Sequence, residues 1–235
     1  HCINNSTDLL SVMPRRTAGC LTERLLLPFI YWASFAWLPI KAAHESKNPH
    51  LSATFGPFML FKRDAYDLIG GYRVIPNDPF DDFELGRNIK RQGLKSMLFD
   101  GVNWVRVLAY KGNVDVFKAV SRSVFPALYY RVSVLGLLSM VVLGLGFLPI
   151  LTLGVGVMAY PQEKELLFVG TGLIGMVATP WLIVCQKFKH NLLFVPLYPL
   201  SIILMVAVAF HSLLTYSLGS VRWKDRTISG RRVRF

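Results

Sequence analysis

Two adjacent aspartates, Asp81 and Asp82, stand near the start of a polar segment, PFDDFELGRNIKRQG, whose composition is typical of a helix. A carboxylate in such a place can take a proton from an attacking hydroxyl group, which is the role of a general base. It can also serve the helix itself, because acidic side chains favour the positive end of the helix dipole. The pair therefore has one structural and one chemical interpretation.

The structural interpretation accounts well for Asp81. With Asp81 as N-cap and Glu84 as the third helical residue, the segment matches the capping-box pattern. Asp82 would then occupy the first helical position, where its carboxylate is free to point above the helix. On spacing alone, capping and solvation remain the simpler explanation of Asp82, and general-base chemistry is the alternative.

Residue types that bind metals are present but poorly spaced. His44 and His50 lack carboxylates or cysteines at the spacing of a metal site, and the three cysteines form no C-x-x-C pair. His211 falls in an apolar run, where it either faces protein or water or packs between helices. The spacing of these residues therefore predicts no metal site among them.

Short elements flank the two aspartates and must position them. Residues 55–63, FGPFMLFKR, predict a buried strand. Residues Asp64 to Gly70 predict a short helix, and Asp81 to about Gln92 a second helix that Gly93 ends. Residues 1–20 predict a loop or a short strand, and 94–110 predict two strands.

The composition indicates a membrane protein. Of 235 residues 53% are hydrophobic, and the mean hydropathy is +0.42. Charged residues are missing from three runs, 132–160, 166–185 and 192–220. Each run has the length of a membrane span. The run 25–40 is shorter and contains two prolines and two tryptophans, which favours an interfacial segment.

The net charge of +12 narrows the choice of partners. Much of it lies in the polar stretches and the tail 221–235, beside the apolar runs, so anionic headgroups and phosphorylated substrates are the expected ligands. No nucleic-acid-binding motif accompanies the charge, and we expect no nucleic acid. The positive-inside rule conflicts with three crossings if the Asp82 region is cytoplasmic. Either one run does not cross, for which the run broken by Pro196 and Pro199 is the candidate, or the tail is an exception to the rule.

Residues 56–93 as a whole resemble the acceptor side of family 2 glycosyltransferases with the GT-A fold. That family combines a G-x-x-x-x-x-R strand, a helix ending in Gly-Gly-aromatic, and an acidic pair followed by x-x-L and a helix that ends in glycine. The matching residues are Gly56, Arg63, Gly70, Gly71, Tyr72, Asp81, Asp82, Leu85 and Gly93. The likeness is greatest to membrane-bound members that glycosylate hopanoid-type lipids, carotenoids or ceramide, in which an apolar segment like ERLLLPFIYW precedes the motif and an element like WKDR follows the last span.

The resemblance implies a role for each of these parts. Asp82 would be the base of an inverting sugar transfer from a nucleotide sugar to a lipid hydroxyl, and Asp81, Gly56, Gly70, Gly71 and Tyr72 would form the acceptor site. The divalent metal, Mg or Mn, would be held by a D-x-D motif outside this chain, so the chain alone is expected to be inactive. The family's Q-x-x-R-W motif is absent, and Arg122, the nearest match, is better explained as a headgroup anchor.

The expected organisation is therefore α/β followed by membrane α-helices. Residues 1–42 form a linking segment with an interfacial helix, 43–120 the acceptor-side part of a GT-A domain, 121–220 about three transmembrane helices, and 221–235 a basic tail. We expect a multi-pass membrane protein whose catalytic part faces the cytoplasm. The alternative is a non-enzymatic membrane anchor or transporter subunit in which both aspartates only cap a helix.

Overall fold

The computed structural model describes residues 7–75, 80–219, 222–223, 226–227 and 233–234. Its longer elements are, in chain order, β1 (Leu9–Arg16), α1 (Leu21–Trp37), α2 (Ile40–Glu45), β2 (Met59–Phe61), α3 (Arg63–Leu68), α4 (Asp81–Arg91), β3 (Ser96–Val107), α5 (Asn113–Ala127), α6 (Val132–Met158), α7 (Lys164–Lys187), α8 (Tyr198–Ser217), β4 (Arg222–Trp223) and β5 (Arg226–Thr227). Short 3₁₀ turns lie at Pro49–Leu51, Gly71–Val74 and Leu192–Phe194. Most of the predicted basic tail lies outside the described residues.

The chain divides into two compact units. The first comprises residues 1–17, 33–109 and 220–229 and contains a three-stranded sheet in the order β2-β1-β3. β1 runs antiparallel to β2 and parallel to β3. The core of this unit joins Leu9 of β1 to Ala65 and Ile69 around α3 and to Leu85 and Ile89 of α4. The sheet and these two helices thus form one hydrophobic core.

The helix predictions in this unit are confirmed with small shifts at their ends. α3 begins at Arg63, one residue before Asp64, and is followed by Gly70 in the left-handed conformation. α4 runs from Asp81 to Arg91, and Gly93 also has a positive φ. Glycine marks both ends because it adopts this conformation without steric cost.

The strand predictions need three corrections. β1 is a full strand of eight residues rather than a loop or short strand, because it pairs on both sides. β2 has three residues and is an edge strand rather than a buried one, with Leu60 52% exposed. Residues 96–107 form one strand, not two, since Gly101 is not a turn but lies against Val12, where a Cβ atom would come within 1.9 Å of a methyl group.

The pairing of β1 with β3 contains a register shift. Pro14 lies opposite Gly101, but the next residue of β1, Arg15, lies opposite Arg106. Residues 102–105 of β3 are therefore extra residues that form a bulge, a feature that bends and twists the strand locally. The bulge separates the buried start of β3 from its exposed end.

The second unit comprises residues 18–32, 110–219 and 230–235 and is helical over most of its described length. α6, α7 and α8 have 27, 24 and 20 residues and are long and apolar enough to cross a membrane. α6 and α7 pack closely at two glycines. A Cβ atom at Gly156 or Gly170 would lie about 2.4 to 2.5 Å from the backbone of the facing helix, which is too close for a side chain. Small residues permit such contact between membrane helices. The prediction of three membrane-type helices is confirmed by length and composition.

The prolines of the last apolar run do not interrupt its helix. Pro199 is the second residue of α8, a position where the missing N–H has no partner in any case, and Pro196 precedes the helix. The remaining 20 residues form a continuous helix, which at 1.5 Å per residue is about 30 Å long. Within the run 192–220 the helix thus begins only after Pro196, and whether this run crosses the membrane stays a prediction.

Residues 21–32 of α1 belong to the second unit and pack against α7. The Tyr31 ring stacks on Phe188 with centroids 3.7 Å apart, and Phe29 meets Trp181 edge-on at 6.1 Å. α1 has 17 residues and is not among the helices that qualify as membrane spans in the described chain. Its interfacial role stays a prediction.

A polar contact joins α5 to α8. Pro126 has no N–H to donate to the carbonyl of Arg122, and that carbonyl accepts the Tyr216 hydroxyl at 2.8 Å instead. One turn away, the Ser212 hydroxyl accepts the Phe125 N–H at 3.1 Å and donates to the Ser121 carbonyl. Side chains of α8 thus replace the helix hydrogen bonds that the proline disrupts.

Candidate functional site

Both aspartates lie in the first turn of α4, in the first unit, but the predicted capping box does not form. The N-cap position is Phe80, which makes no side-chain capping bond, and Asp81 is the first helical residue. The carboxylate of Glu84 is engaged by Arg87 at 3.0 Å and Arg91 at 2.6 Å. Ion pairs along the helix surface therefore take the glutamate away from the N-terminus. Asp82 is the second helical residue rather than the first.

The Asp82 carboxylate is held by backbone amides. Oδ2 accepts the Gly56 N–H at 2.8 Å, and Oδ1 accepts the Phe83 N–H at 2.9 Å. The Thr54 hydroxyl donates to the main-chain carbonyl of Asp82 at 2.9 Å. The loop at residues 54–56 is therefore joined to the first turn of α4 by both the side chain and the main chain of Asp82.

The carboxyl group of Asp82 titrates close to neutrality. Burial raises its pKa to about 6 against the hydrogen bonds from Gly56 and Phe83, which lower it, and the charge of Asp81 raises it further. A base whose pKa lies near the working pH is mostly ionised at pH 7 yet still binds a proton well. The group thus has the acidity that a general base needs.

The glycine at position 56 allows the carboxylate to approach the loop. A Cβ atom there would lie 3.0 Å from Oδ2 and 3.2 Å from Cβ of Asp82. The turn is fixed from below by Ser11 of β1, whose buried hydroxyl accepts the Phe55 N–H at 2.7 Å and donates to the Phe55 carbonyl at 3.0 Å. Gly56 therefore contributes an N–H group in a rigid position.

The Gly70–Gly71–Tyr72 segment lies beside the aspartates. Gly70 and Gly71 have φ angles of +73° and +54°, and a Cβ atom at Gly71 would lie 2.3 Å from the Tyr66 ring. The Tyr66 hydroxyl accepts the Tyr72 N–H at 3.2 Å. Only glycine fits position 71, and this packing sets the direction in which Tyr72 leaves the main chain.

Tyr72 itself is 45% exposed. Its pKa is raised by partial burial and by the charges of Asp81 and Asp82, so its hydroxyl lies within electrostatic reach of both carboxylates. The structure thus brings Tyr72, Gly56 and Asp82 to one place. Residues 76–79, which connect this segment to α4, are outside the described part of the chain.

The described residues contain no group of three or more His, Cys, Asp or Glu side chains that could hold a metal ion. Near the aspartates, the Asp82 oxygens accept hydrogen bonds from two amides. A divalent metal with ligands elsewhere stays a prediction.

The other residues considered from the sequence have structural contacts. His44 Nε2 accepts the Leu98 N–H at 3.0 Å, and burial lowers the pKa of this histidine. His211 Nδ1 lies 2.8 Å from the Ser121 hydroxyl, and its ring meets Phe117 edge-on. His211 therefore contacts α5 from an exposed position on α8.

Lys90, at the other end of α4, was not identified from the sequence. Its side chain is 4% exposed, and its ammonium group donates to the carbonyls of Ala43, Ser46 and Leu51 at 2.5, 2.8 and 3.0 Å. Burial lowers its pKa. Ser11 and Thr54 were also missed, and the one signal for Ser11 was a small polar residue within an apolar strand.

Comparison of the chain with family models, with curated proteins and with solved structures finds no match. The function must therefore be argued from the site and the membrane helices.

Proposed function

We propose that this chain is the acceptor-side and membrane part of an inverting glycosyltransferase that moves a sugar from a nucleotide-sugar donor to the hydroxyl group of a lipid or polyprenoid-type acceptor. The observation that carries the proposal is the Asp82 carboxylate, with a pKa of about 6 and two amide donors that fix its orientation. The GT-A fold of the complete catalytic domain is part of the proposal and rests on the resemblance of residues 56–93.

The proposed chemistry uses one proton transfer. The acceptor oxygen attacks the anomeric carbon of the donor sugar while the bond from that carbon to the nucleotide diphosphate breaks on the opposite face. The hydroxyl proton passes to Asp82. A carboxylate offers about four lone-pair positions, of which two are used by Gly56 and Phe83, so acceptor capacity remains for the hydroxyl. Asp82 then releases the proton to solvent.

Tyr72 supports an acceptor that is both apolar and hydroxylated. Its exposed ring offers an apolar face, and its hydroxyl can hydrogen-bond beside the two carboxylates. The three apolar helices keep the protein in contact with lipid, so an acceptor dissolved in the bilayer need not cross water to reach the protein. The nucleotide sugar and the divalent metal enter the proposal through the resemblance alone.

A non-enzymatic membrane anchor is the second candidate. It is favoured by the same two amide hydrogen bonds, since a carboxylate that only joins the loop at Gly56 to α4 would make them as well. The two candidates differ in what the carboxylate charge does at neutral pH. The anchor needs only the hydrogen-bond acceptor, whereas the transferase needs a group that binds a proton.

Sugar transfer by membranes that contain the whole gene product separates the candidates. Membranes are incubated with radiolabelled nucleotide sugars, magnesium or manganese, and extracted lipid, and labelled glycolipid is measured. The transferase predicts a labelled lipid that is lost in Asp82→Asn and retained in Asp81→Asn. If the native gene product gives no labelled lipid with any donor, the proposed function is wrong. It is equally wrong if Asp82→Asn and Asp81→Asn lose the label to the same extent.

A further inference from the structure

The exposed end of the β1–β3 pair in the first unit has an unusual composition. Trp104 and Leu108 are each 87% exposed, and Arg106 between them is exposed as well. From residue 104 to 108 exposed and partly buried residues alternate, which places Trp104, Arg106 and Leu108 on the same side of the chain. A large aromatic residue and a leucine are therefore presented to the surroundings with an arginine between them.

A further arginine of this side comes from the neighbouring strand. Arg15 lies directly opposite Arg106 in the parallel pair and so shares its face, whereas Arg16 lies opposite Val107 on the other face. Like charges placed opposite each other destabilise a sheet. In the described part of the chain neither the Arg15 nor the Arg106 guanidinium group forms an ion pair with a carboxylate. The positive charge of this edge is therefore not compensated by the residues around it.

The bulge at residues 102–105 makes this edge possible. Without it the strand would continue its buried pattern past Gly101 and Val102, both of which are buried. The shift in register instead brings Arg106 beside Arg15 and turns Trp104 outward. We call the set Arg15, Trp104, Arg106 and Leu108 the Arg–Trp edge.

We propose that the Arg–Trp edge binds the membrane surface, with Arg15 and Arg106 on anionic phospholipid headgroups and Trp104 and Leu108 inserted at the headgroup level. Tryptophan and arginine together are characteristic of membrane–water interfaces, where the indole lies among the headgroups and the cation neutralises phosphate. The lipid surface is available, because the same chain carries three helices that can cross a bilayer. This inference does not depend on the proposed sugar transfer.

The test uses the chain of residues 1–235 reconstituted in lipid nanodiscs. Tryptophan fluorescence is measured for the native chain and for Trp104→Phe, and the difference isolates the emission of Trp104. Brominated phospholipid, which quenches from inside the bilayer, and acrylamide, which quenches from water, are the two probes. Discs contain phosphatidylcholine alone or mixed with phosphatidylglycerol.

In anionic discs we expect bromine to quench the Trp104 difference signal at least about twofold and acrylamide to quench it little. Each arginine contributes about a fivefold preference for an anionic surface, so Arg15→Gln/Arg106→Gln should weaken docking about 25-fold and restore acrylamide quenching. Lys47→Gln/Lys95→Gln removes the same charge from other exposed positions of the first unit and should change neither signal.

A nitroxide at position 108 gives a second measurement that leaves Trp104 in place. In Leu108→Cys with Cys2→Ser and Cys20→Ser, docking predicts greater collision with oxygen than with a water-soluble nickel complex. Trp104 emission that acrylamide quenches fully in anionic discs, or a nitroxide exposed to nickel, overturns the proposal. Protection from acrylamide without quenching by bromine would assign the edge to a protein partner and overturn it equally.

Discussion

The two ends of α4 each hold a buried charge, and they hold it in opposite ways. At the C-terminal end, all three N–H groups of Lys90 are used by three carbonyls. At the N-terminal end, Asp82 accepts two amides, keeps acceptor capacity and lies beside the exposed Tyr72. Both groups are shifted toward their neutral forms by burial.

The difference separates a structural charge from a reactive one. A buried charge whose hydrogen-bonding capacity is exhausted can only hold structure, and Lys90 holds the chain between α2 and the turn at Pro49–Leu51 against α4. A buried charge with unused capacity and an open side can exchange a proton with a ligand. The comparison predicts that substitutions at Asp82 change rate, and substitutions at Lys90 change stability.

The largest expected effect is on the rate of sugar transfer. In the whole gene product, Asp82→Asn preserves the size of the side chain and its acceptor oxygen for Gly56 but cannot take a proton. Loss of a general base lowers a rate by about a hundredfold to ten-thousandfold. Transfer to lipid acceptor is measured beside thermal stability in the same membranes.

Asp81→Asn is the matched control for this change. Its amide oxygen can still accept the Asp82 N–H, which Asp81 Oδ1 now accepts at 2.9 Å. We expect transfer within a few-fold of the native protein, and, since Asp81 raises the pKa of Asp82, a slightly lower pKa in the pH–rate profile. If Asp82→Asn instead loses transfer only in proportion to its loss of folded protein, Asp82 is a structural charge like Lys90. The predicted difference between the two ends of α4 would then be wrong.

Lys90→Met tests the structural end of the helix. The methionine fills similar space but leaves three carbonyls without their donor, and a buried polar group that loses its partner costs about 1–3 kcal/mol. We expect the free energy of unfolding to fall by roughly 2–4 kcal/mol, measured by chemical unfolding in detergent. Lys95→Met, at an exposed position of the same unit, should change it by no more than about 0.5 kcal/mol. A native stability for Lys90→Met would show that the ammonium group does not hold the loop.

The pH dependence of stability should reveal Asp82 directly. Its pKa in the folded protein, about 6, lies above the ordinary aspartate value of 3.8, so the folded state binds a proton that the unfolded state has already lost. This contribution is present below about pH 4 and is lost as pH rises through about 6, lowering the free energy of unfolding by roughly 1–3 kcal/mol.

Activity should move in the opposite direction over the same range, because the ionised carboxylate is the base. Unfolding of the native chain and of Asp82→Asn is measured between pH 4 and 8. The variant should lack this part of the pH dependence. Two superimposable stability profiles would contradict a raised pKa at Asp82.

The smallest expected effect is that of Gly56→Ala. The added methyl group would lie 3.0 Å from Asp82 Oδ2, so the flexible carboxylate must move by a few tenths of an ångström. We expect a loss of about 1 kcal/mol in stability, a several-fold slower transfer and a higher pKa in the pH–rate profile, since the methyl excludes water. Gly172→Ala, where a Cβ atom meets nothing within 4 Å, is the control. Equal transfer by the two variants would mean that the position of Asp82 relative to the loop is unimportant.

Much of the fold was predictable where one local signal dominates. Uncharged apolar runs predicted α6, α7 and α8, because a membrane-type helix satisfies its own backbone and needs no distant partner. The ends of α3 and α4 followed from Gly70 and Gly93. The strands were harder to predict, since β1 and β3 pair across 87 to 91 residues of sequence. A glycine such as Gly101 is typical of a turn, and only its contact with Val12 shows that it lies within a strand.

The site was predictable in its residues more than in its contacts. The acidic pair and the glycines were identified from their types and spacing, but the hydrogen bond from Gly56 to Asp82 crosses 26 residues and has no local signal. The capping box failed because Arg87 and Arg91 compete for Glu84. Lys90 was missed because lysine is almost always exposed, and only the fold brings three carbonyls to it.

The hydrogen bonds from hydroxyl groups of α8 to the backbone of α5 have a consequence for biogenesis. The last turn of α5 leaves the ribosome some 90 residues before Ser212 and Tyr216, so for that interval the carbonyl of Arg122 and the N–H of Phe125 have no partner from α8. The turn at Pro126 is therefore completed late, when the final apolar helix has entered the membrane. A chain that stops before α8 would display this unfinished turn to the quality-control proteases of the cell, and loss of the two hydroxyls should mimic such a truncation in shortened lifetime.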